Sequence, residues 1–255
     1  MIDQQLDRRA IRTEVFTQST TSVDRRSLLN KLGFVAVPAG QVKMGIDQPL
    51  ECGVEGIRHN EQPQREMIVA RPFWIAKQRI TNKLFEAFLP NHLRPPQTPG
   101  DNHPVTDITY GEALFIIKRI NRSSKMSFRL PTELEWCLAA APYGWIYPLG
   151  NEASSELYHT FADTRDKGRV VAVNDNRYPA NYLGLDQMGH NVCDMTADLY
   201  QSPGHFGADS DGMYYIAKGG DYGHCINSPR LASRMMHDVA DRNPRVGFRL
   251  AHDEI

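Results

Sequence analysis

Apolar and polar positions along this chain switch in short bursts, and three of those bursts have helical spacing and a start signal of their own. Thr109 with Glu112 forms a capping box ahead of Ala113, Ile116, Ile117 and Ile120, an apolar stripe at helical period. A second box, Thr132 with Glu135, opens a helix predicted to run to Ala141 and to stop at Pro142. Thr81 caps a third, Asn82 to Leu89, closed by Pro90. Short apolar or alternating runs predict strands at Phe34 to Pro38, Met67 to Ala70, Phe73 to Ala76 and Tyr214 to Ala217. From 145 to 213 the chain is rich in Gly, Asp, Asn and Tyr, which predicts mostly loop. So long a loop in a compact domain needs an organiser, such as a bound metal or a functional surface.

Residues 1–32 are charged and polar, with a hydroxyl-rich patch from Thr17 to Ser22, and read as an N-terminal arm. No Pro, Gly or Ser-rich linker follows, so residues 33–255 are expected to form one domain. The 16 prolines and 19 glycines are scattered through it and predict many short elements.

Composition narrows the function. With 41% of 255 residues hydrophobic the chain can bury a core. Its 29 Lys plus Arg balance 30 Asp plus Glu, which leaves no net field to gather nucleic acid or an anionic membrane, so neither is an expected partner. No run approaches the roughly 20 apolar residues of a membrane helix. Arg25-Arg26-Ser27-Leu28-Leu29 resembles a twin-arginine export motif, but the apolar run after it, Phe34 to Val37, is short and leads into a strand. A cytoplasmic location is the expectation. Cys52, Cys137, Cys193 and Cys225 include no CxxC pair, and reduced thiols are expected. Cys137 and Cys193 read as small buried hydrophobes.

The landmarks taken in order carry a family resemblance. Phe34-Val35-Ala36-Val37-Pro38-Ala39-Gly40, Pro72-Phe73-Trp74-Ile75-Ala76-Lys77 and Pro104-Val105-Thr106-Asp107-Ile108 lead to Phe128-Arg129-Leu130-Pro131-Thr132-Glu133-Leu134-Glu135-Trp136. Tyr147-Pro148-Leu149-Gly150, Asn191-Val192, Lys218-Gly219-Gly220 and Gly247-Phe248-Arg249 follow. Together they resemble the formylglycine-generating enzyme, or sulfatase-modifying factor, family. The resemblance implies an α+β fold with a C-type-lectin-like core: twisted antiparallel strands, a few helices and long loops.

Members of that family that make formylglycine oxidise a substrate cysteine with molecular oxygen, using copper(I) held by two cysteines after the Gly-Gly landmark. Soft thiolates suit copper(I). Here the segment from Gly219 to Arg234 is shorter and contains only Cys225, so the reaction centre is incomplete. His224 adjoins that cysteine and His237 follows. One Cys with two His is a donor set for zinc, copper or iron, or a means of activating a thiolate, although alternation along a strand would send His224 and Cys225 to opposite faces. Cys225, His224 and His237 are the catalytic candidates.

The resemblance also implies calcium in the long loop. By position Gln187 and Asp194 would give side-chain oxygens and His190 and Val192 carbonyls, with Asp163, joined by Asp166, opening a first site. Gln and the shorter Asp weaken such a site without forbidding it.

Three functions follow. The first is a binding or accessory module for a protein or small-molecule ligand, presenting Asp221, Tyr222, His224, Asn227, Arg230, Arg234 and His237, residue types that make adaptable contacts. The second is an oxidoreductase of altered, copper- or iron-dependent chemistry. The third is a diversity-generating variable protein, because lectin-like relatives vary between these same landmarks.

Overall fold

The computed structural model describes residues 33–47, 59–152, 169–200, 213–223 and 228–253. The first strands are β1 (Phe34–Val37), β2 (Gly40–Met44), β3 (Arg65–Val69) and β4 (Phe73–Ala76). After them come α1 (Asn82–Glu86), α2 (Tyr110–Ser124), β5 (Phe128–Arg129), α3 (Glu133–Ala140), β6 (Cys193–Tyr200), β7 (Tyr214–Lys218), β8 (Met235–Asp238), β9 (Val246–Gly247) and β10 (Ala251–Asp253). One sheet has the order β1-β4-β10-β5, another β8-β7-β6-β9, and β2 with β3 forms a ribbon. All pairings are antiparallel except β6 with β9, where Cys193 faces Val246 and Asp194 faces Gly247.

Both capping boxes form. Thr109 Oγ1 accepts from Glu112 N at 3.1 Å while Glu112 Oε2 accepts from Thr109 N at 2.9 Å, and Thr132 and Glu135 repeat the exchange at 3.2 and 2.8 Å. Replacing either threonine by alanine removes a cap worth about 1 kcal/mol. The stripe Ala113, Ile116, Ile117 and Ile120 is buried, and each isoleucine contributes about 1.5–3 kcal/mol by leaving water. Lys125 ends α2 in the left-handed region, with φ of 56°. α1 is shorter than its pattern suggested. The N–H groups of Phe88 and Leu89 both turn back to Phe85 O, and Leu89 is the residue before Pro90, where helical backbone is disfavoured.

β4 divides two cores by its period of two. Trp74 faces a cluster with Phe34, Ile116, Ile120, Phe128 and Phe248, whereas Phe73 and Ile75 face one with Val42, Val69, Trp136, Leu185 and Met188. α3 is buried almost all round because it packs on β2 and β3 on one side and on β6 and β7 on the other. The stretch 145–213, read as loop from its composition, contains the eight-residue β6. Its first four residues are buried on both faces, so no alternation marks them; alternation appears only from Ala197 onward.

Candidate functional site

The end of β4, α3, β6 and the segment before β10 converge on one carboxylate. Asp194 is fully buried. Trp136 Nε1 donates to its Oδ2 at 2.9 Å, Arg249 Nε at 3.0 Å and Arg79 Nη2 at 3.2 Å, and Arg79 Nε stands 2.8 Å from Oδ1. Arg249 spends its other donors on the carbonyls of Ala76, Lys77 and Asp186. Burial, with Arg249 close by, pushes Arg79 down to about 10 against the pull of Asp194, so it remains a cation at neutral pH. Nothing in the sequence around Arg79 advertises this role, since its partner lies 115 positions away.

The loop leading into β6 is held by amides. Gln187 Oε1 accepts from Asn191 Nδ2 at 2.8 Å and Gln187 Nε2 donates to Ala172 O at 2.6 Å. Asn191 pairs like a strand residue with Val171, accepting from its N–H and donating to its C=O, each at 3.0 Å. Val192 N donates to His190 O at 3.0 Å, and the His190 ring packs on Tyr178. Calcium wants several hard oxygens turned toward one point and free of cationic partners. Here the oxygens expected of Gln187 and His190 are engaged, and Asp194 belongs to two guanidiniums. Asp194, taken by two guanidiniums, is therefore not placed to serve calcium as expected, while Gln187, His190 and Val192 belong to the loop that leads into it. Asp163 and Asp166 lie outside the described residues.

The Gly-Gly landmark permits a close approach. Gly219 has φ of +86°, and a Cβ on it would stand 3.2 Å from both Gly189 Cα and Trp136 Cζ2. With no side chain in the way, Gly220 N reaches Gly189 O at 2.9 Å and Tyr222 N reaches Asn191 O at 3.0 Å. Asp221, expected on the binding surface, is 1% exposed; its Oδ1 accepts from Gly223 N at 2.7 Å. Tyr222 is half-buried, and the Arg245 guanidinium lies 6.0 Å from its ring centre. Arg245 also covers Gly223, where a Cβ would come 2.8 Å from Cζ. Asn243 carries the connection onward, accepting from Arg245 N at 2.8 Å and lying 3.2 Å from His237 Nδ1. His237, on β8, also packs against the Tyr215 ring.

Two more of the expected surface residues turn out to be anchors. Arg230 forks onto Glu61 at 2.8 and 3.2 Å, with both residues buried. Arg234 forks onto Glu133 at 2.8 Å twice and donates to Asn60 O at 3.1 Å. Lys218, also buried, donates to Leu231 O at 2.6 Å and Ser233 O at 2.7 Å. A forked guanidinium matches a carboxylate in shape, which is why these arginines face inward. His224, Cys225 and Asn227 lie outside the described residues, as does Cys52.

The two described cysteines are buried as expected. Cys193 Sγ donates to Gly219 O at 3.1 Å and lies 3.6 Å from Met235 Sδ. Burial, reinforced by Asp221, pushes its thiol well above the usual range, and burial pushes Cys137 up to about 11. Protonated thiols are poor nucleophiles and poor metal ligands. Among the described residues no three His, Cys, Asp or Glu side chains are placed to share a metal ion.

The family model of the sulfatase-modifying factor enzyme 1-like domain matches residues 19–254. The chain belongs to the sulfatase-modifying factor family. Its fold is α+β and C-type-lectin-like, and solved structures share it. PvdO from Pseudomonas aeruginosa superposes with a TM-score of 0.69 at 20% identity over 86% of this chain and 94% of that one. Treponema denticola variable protein 1 gives 0.68 at 14% identity over 86% and 94%. CarF gives 0.66 at 18% identity over 87% and 98%. No curated protein matches the chain. Among the described residues no helix is long and apolar enough to cross a membrane.

Proposed function

We propose that this member of the sulfatase-modifying factor family is a binding module for a protein or small-molecule ligand and does not make formylglycine. The observation that carries the reading is the Tyr222–Arg245 pair beside the Gly-Gly landmark. Tyrosine and arginine are the side chains that most often anchor a partner, and here both are partly accessible on a backbone fixed to Asn191. The ion pairs of Arg230 with Glu61 and of Arg234 with Glu133 pin the far flank of the same segment. The segment offers one cysteine, Cys225, where copper(I) chemistry of this family uses two. Burial encloses Cys193 and Cys137 and raises both thiols above the usual range, which disfavours either as the second thiolate.

Two measurements test this. A sulfatase-type cysteine peptide incubated with the protein, copper and reductant should keep its thiol by mass spectrometry. An aldehyde product that vanishes in Cys225→Ser would instead establish an oxidoreductase. In a thermal-shift screen, a ligand that raises the wild-type Tm should lose most of that effect in Arg245→Ala, because preferential binding to the folded state is what raises Tm. Hits that act equally on both proteins remove the Tyr222–Arg245 face from consideration.

A further inference from the structure

Sheltered arginines in this chain follow a rule with one exception. Among the described residues, Arg79 and Arg249 meet Asp194, Arg94 meets Glu86, Arg129 meets Glu135, Arg230 meets Glu61 and Arg234 meets Glu133. The described arginines that bond to no carboxylate, Arg65, Arg71, Arg119, Arg122 and Arg169, are all exposed, where water solvates the charge. Arg245 is half-buried, yet no carboxylate of the described residues pairs with it. His224-Cys225-Ile226-Asn227, the stretch next to Gly223, contains no acid either. A guanidinium drawn partly out of water without a counter-charge costs free energy, and a bound anion would recover it.

Packing holds this side chain in place of an ion pair. Arg245 N donates to Asn243 Oδ1 at 2.8 Å and Arg245 O accepts from Cys193 N at 2.8 Å, so its backbone is fixed on both sides. A Cβ on Gly223 would stand 2.8 Å from Cζ and 3.0 Å from both Nε and Nη1. Distances so nearly equal put that position over the flat face of the guanidinium and not in line with its edge. The Tyr222 ring centre lies 6.0 Å from Cζ, with the phenol in hydrogen-bonding reach. Burial raises that phenol above its usual value, so it is neutral and supplies no counter-charge. A guanidinium carries more N–H donors than one phenol can use.

We propose that Arg245 receives a carboxylate of the ligand, gripped by the edge of its guanidinium beside Tyr222 and Gly223. The assignment rests on the binding role proposed above and names the chemistry of what is bound. A carboxylate fits better than a phosphate because the neighbouring cations are committed: Lys218 to Leu231 O and Ser233 O, Arg230 to Glu61, Arg234 to Glu133 and Arg242 to Glu112. Arg245 alone then offers one positive charge and a planar fork, which match a planar monoanion. A small organic acid and an acidic side chain of a protein partner share that chemistry.

NMR on the full chain tests this, with the Arg245 Nε–H signal assigned by its loss in Arg245→Lys. Benzoate should shift that signal saturably, and benzamide, of the same shape without the charge, should leave it in place. Arg245→Lys keeps the charge without the fork, and Gly223→Ala keeps the arginine but drives a methyl group into its face. Each should weaken benzoate binding, read at the Tyr222 ring signals, by about five-fold or more. The second probe is a short peptide with blocked ends and one central glutamate. Tighter binding than benzoate assigns the carboxylate to a protein partner and weaker binding to a small acid; either order supports the proposal. Absence of a saturable shift with both probes overturns it, as does an equal response to benzamide or full affinity in Arg245→Lys. If neither acid moves the signal while an uncharged ligand still needs Arg245 for its thermal shift, the binding role stands and the carboxylate assignment falls.

Discussion

Asp194 and Glu133 are both carboxylates set among cations, yet they hold different things. Asp194 faces Arg79, Arg249 and the indole of Trp136, and its side chain and those of both arginines are at most 1% exposed. Glu133 faces Arg234, whose side chain is 25% exposed, and stands 3.4 Å from Lys218 Nζ. The first cluster joins four distant parts of the chain; the second joins α3 to the residues that follow the Gly-Gly landmark. In a dry site the loss of one partner strands the others as unpaired charges, whereas a partly wet site relaxes toward solvent. The core of this molecule is thus all-or-none, and its candidate site is adjustable.

Breaking the first cluster should have the largest effect. Asp194→Ala leaves two guanidiniums buried without a counter-charge, at a cost of about 3–5 kcal/mol from a total stability of roughly 5–15 kcal/mol. Denaturant unfolding should show that loss or no folded protein at all; a loss under about 1 kcal/mol would mean that the cluster is not the keystone described here.

Glu133→Gln should cost less, about 1–2 kcal/mol, because the amide keeps one acceptor and Arg234 can reach water. Its signature is local. Amide exchange should speed up at Leu231 and Ser233, while β4 and β10 stay protected. Uniform loss of protection would erase the distinction between the two clusters.

Neither cluster contains a histidine, so mild acid should act elsewhere. Burial holds His92 and His103 below the ordinary imidazole value of about 6.5. The unfolded chain then binds more protons than the folded one as pH falls through that value, so their contribution is present above about 6.5 and is lost below it. Tm should be lower at pH 5.5 than at pH 7.5, and a His92→Gln/His103→Gln variant should show a shallower drop. An unchanged slope assigns the acid sensitivity to other groups.

The smallest expected effect is that of calcium on the loop entering β6. With Gln187 and Asn191 engaged by amide bonds, exchange at 187–192 should be the same in calcium and in chelator. Protection gained with calcium would place the ion at that loop.

What could be read from the sequence follows the distance over which each feature is encoded. The capping boxes of Thr109 and Thr132 are complete within four residues, and their helices form where expected. The ordered landmarks were enough for the family and its α+β fold. β6 escaped because burial on both faces removes the alternation that marks a strand. Asp194 was misread because a carboxylate looks the same beside calcium as beside arginine, and Arg79 is 115 positions away. Arg245 had no local sign at all; it becomes significant only once β9 brings it over Tyr222 and Gly223.

β4 has β1 on one side and β10 on the other, so Val35 and Ala251 flank the same Ile75. On a ribosome these neighbours are made far apart in time. The run Phe73-Trp74-Ile75-Ala76, buried throughout in the finished protein, emerges with one edge uncovered and waits for residues 251–253. Arg249, which closes the Asp194 cluster, arrives equally late. Pairing so remote in sequence is slow, and an unpaired apolar edge is a template for association with other chains. Deleting residues 251–253 should therefore leave a product that aggregates, even though every residue of the candidate site is present.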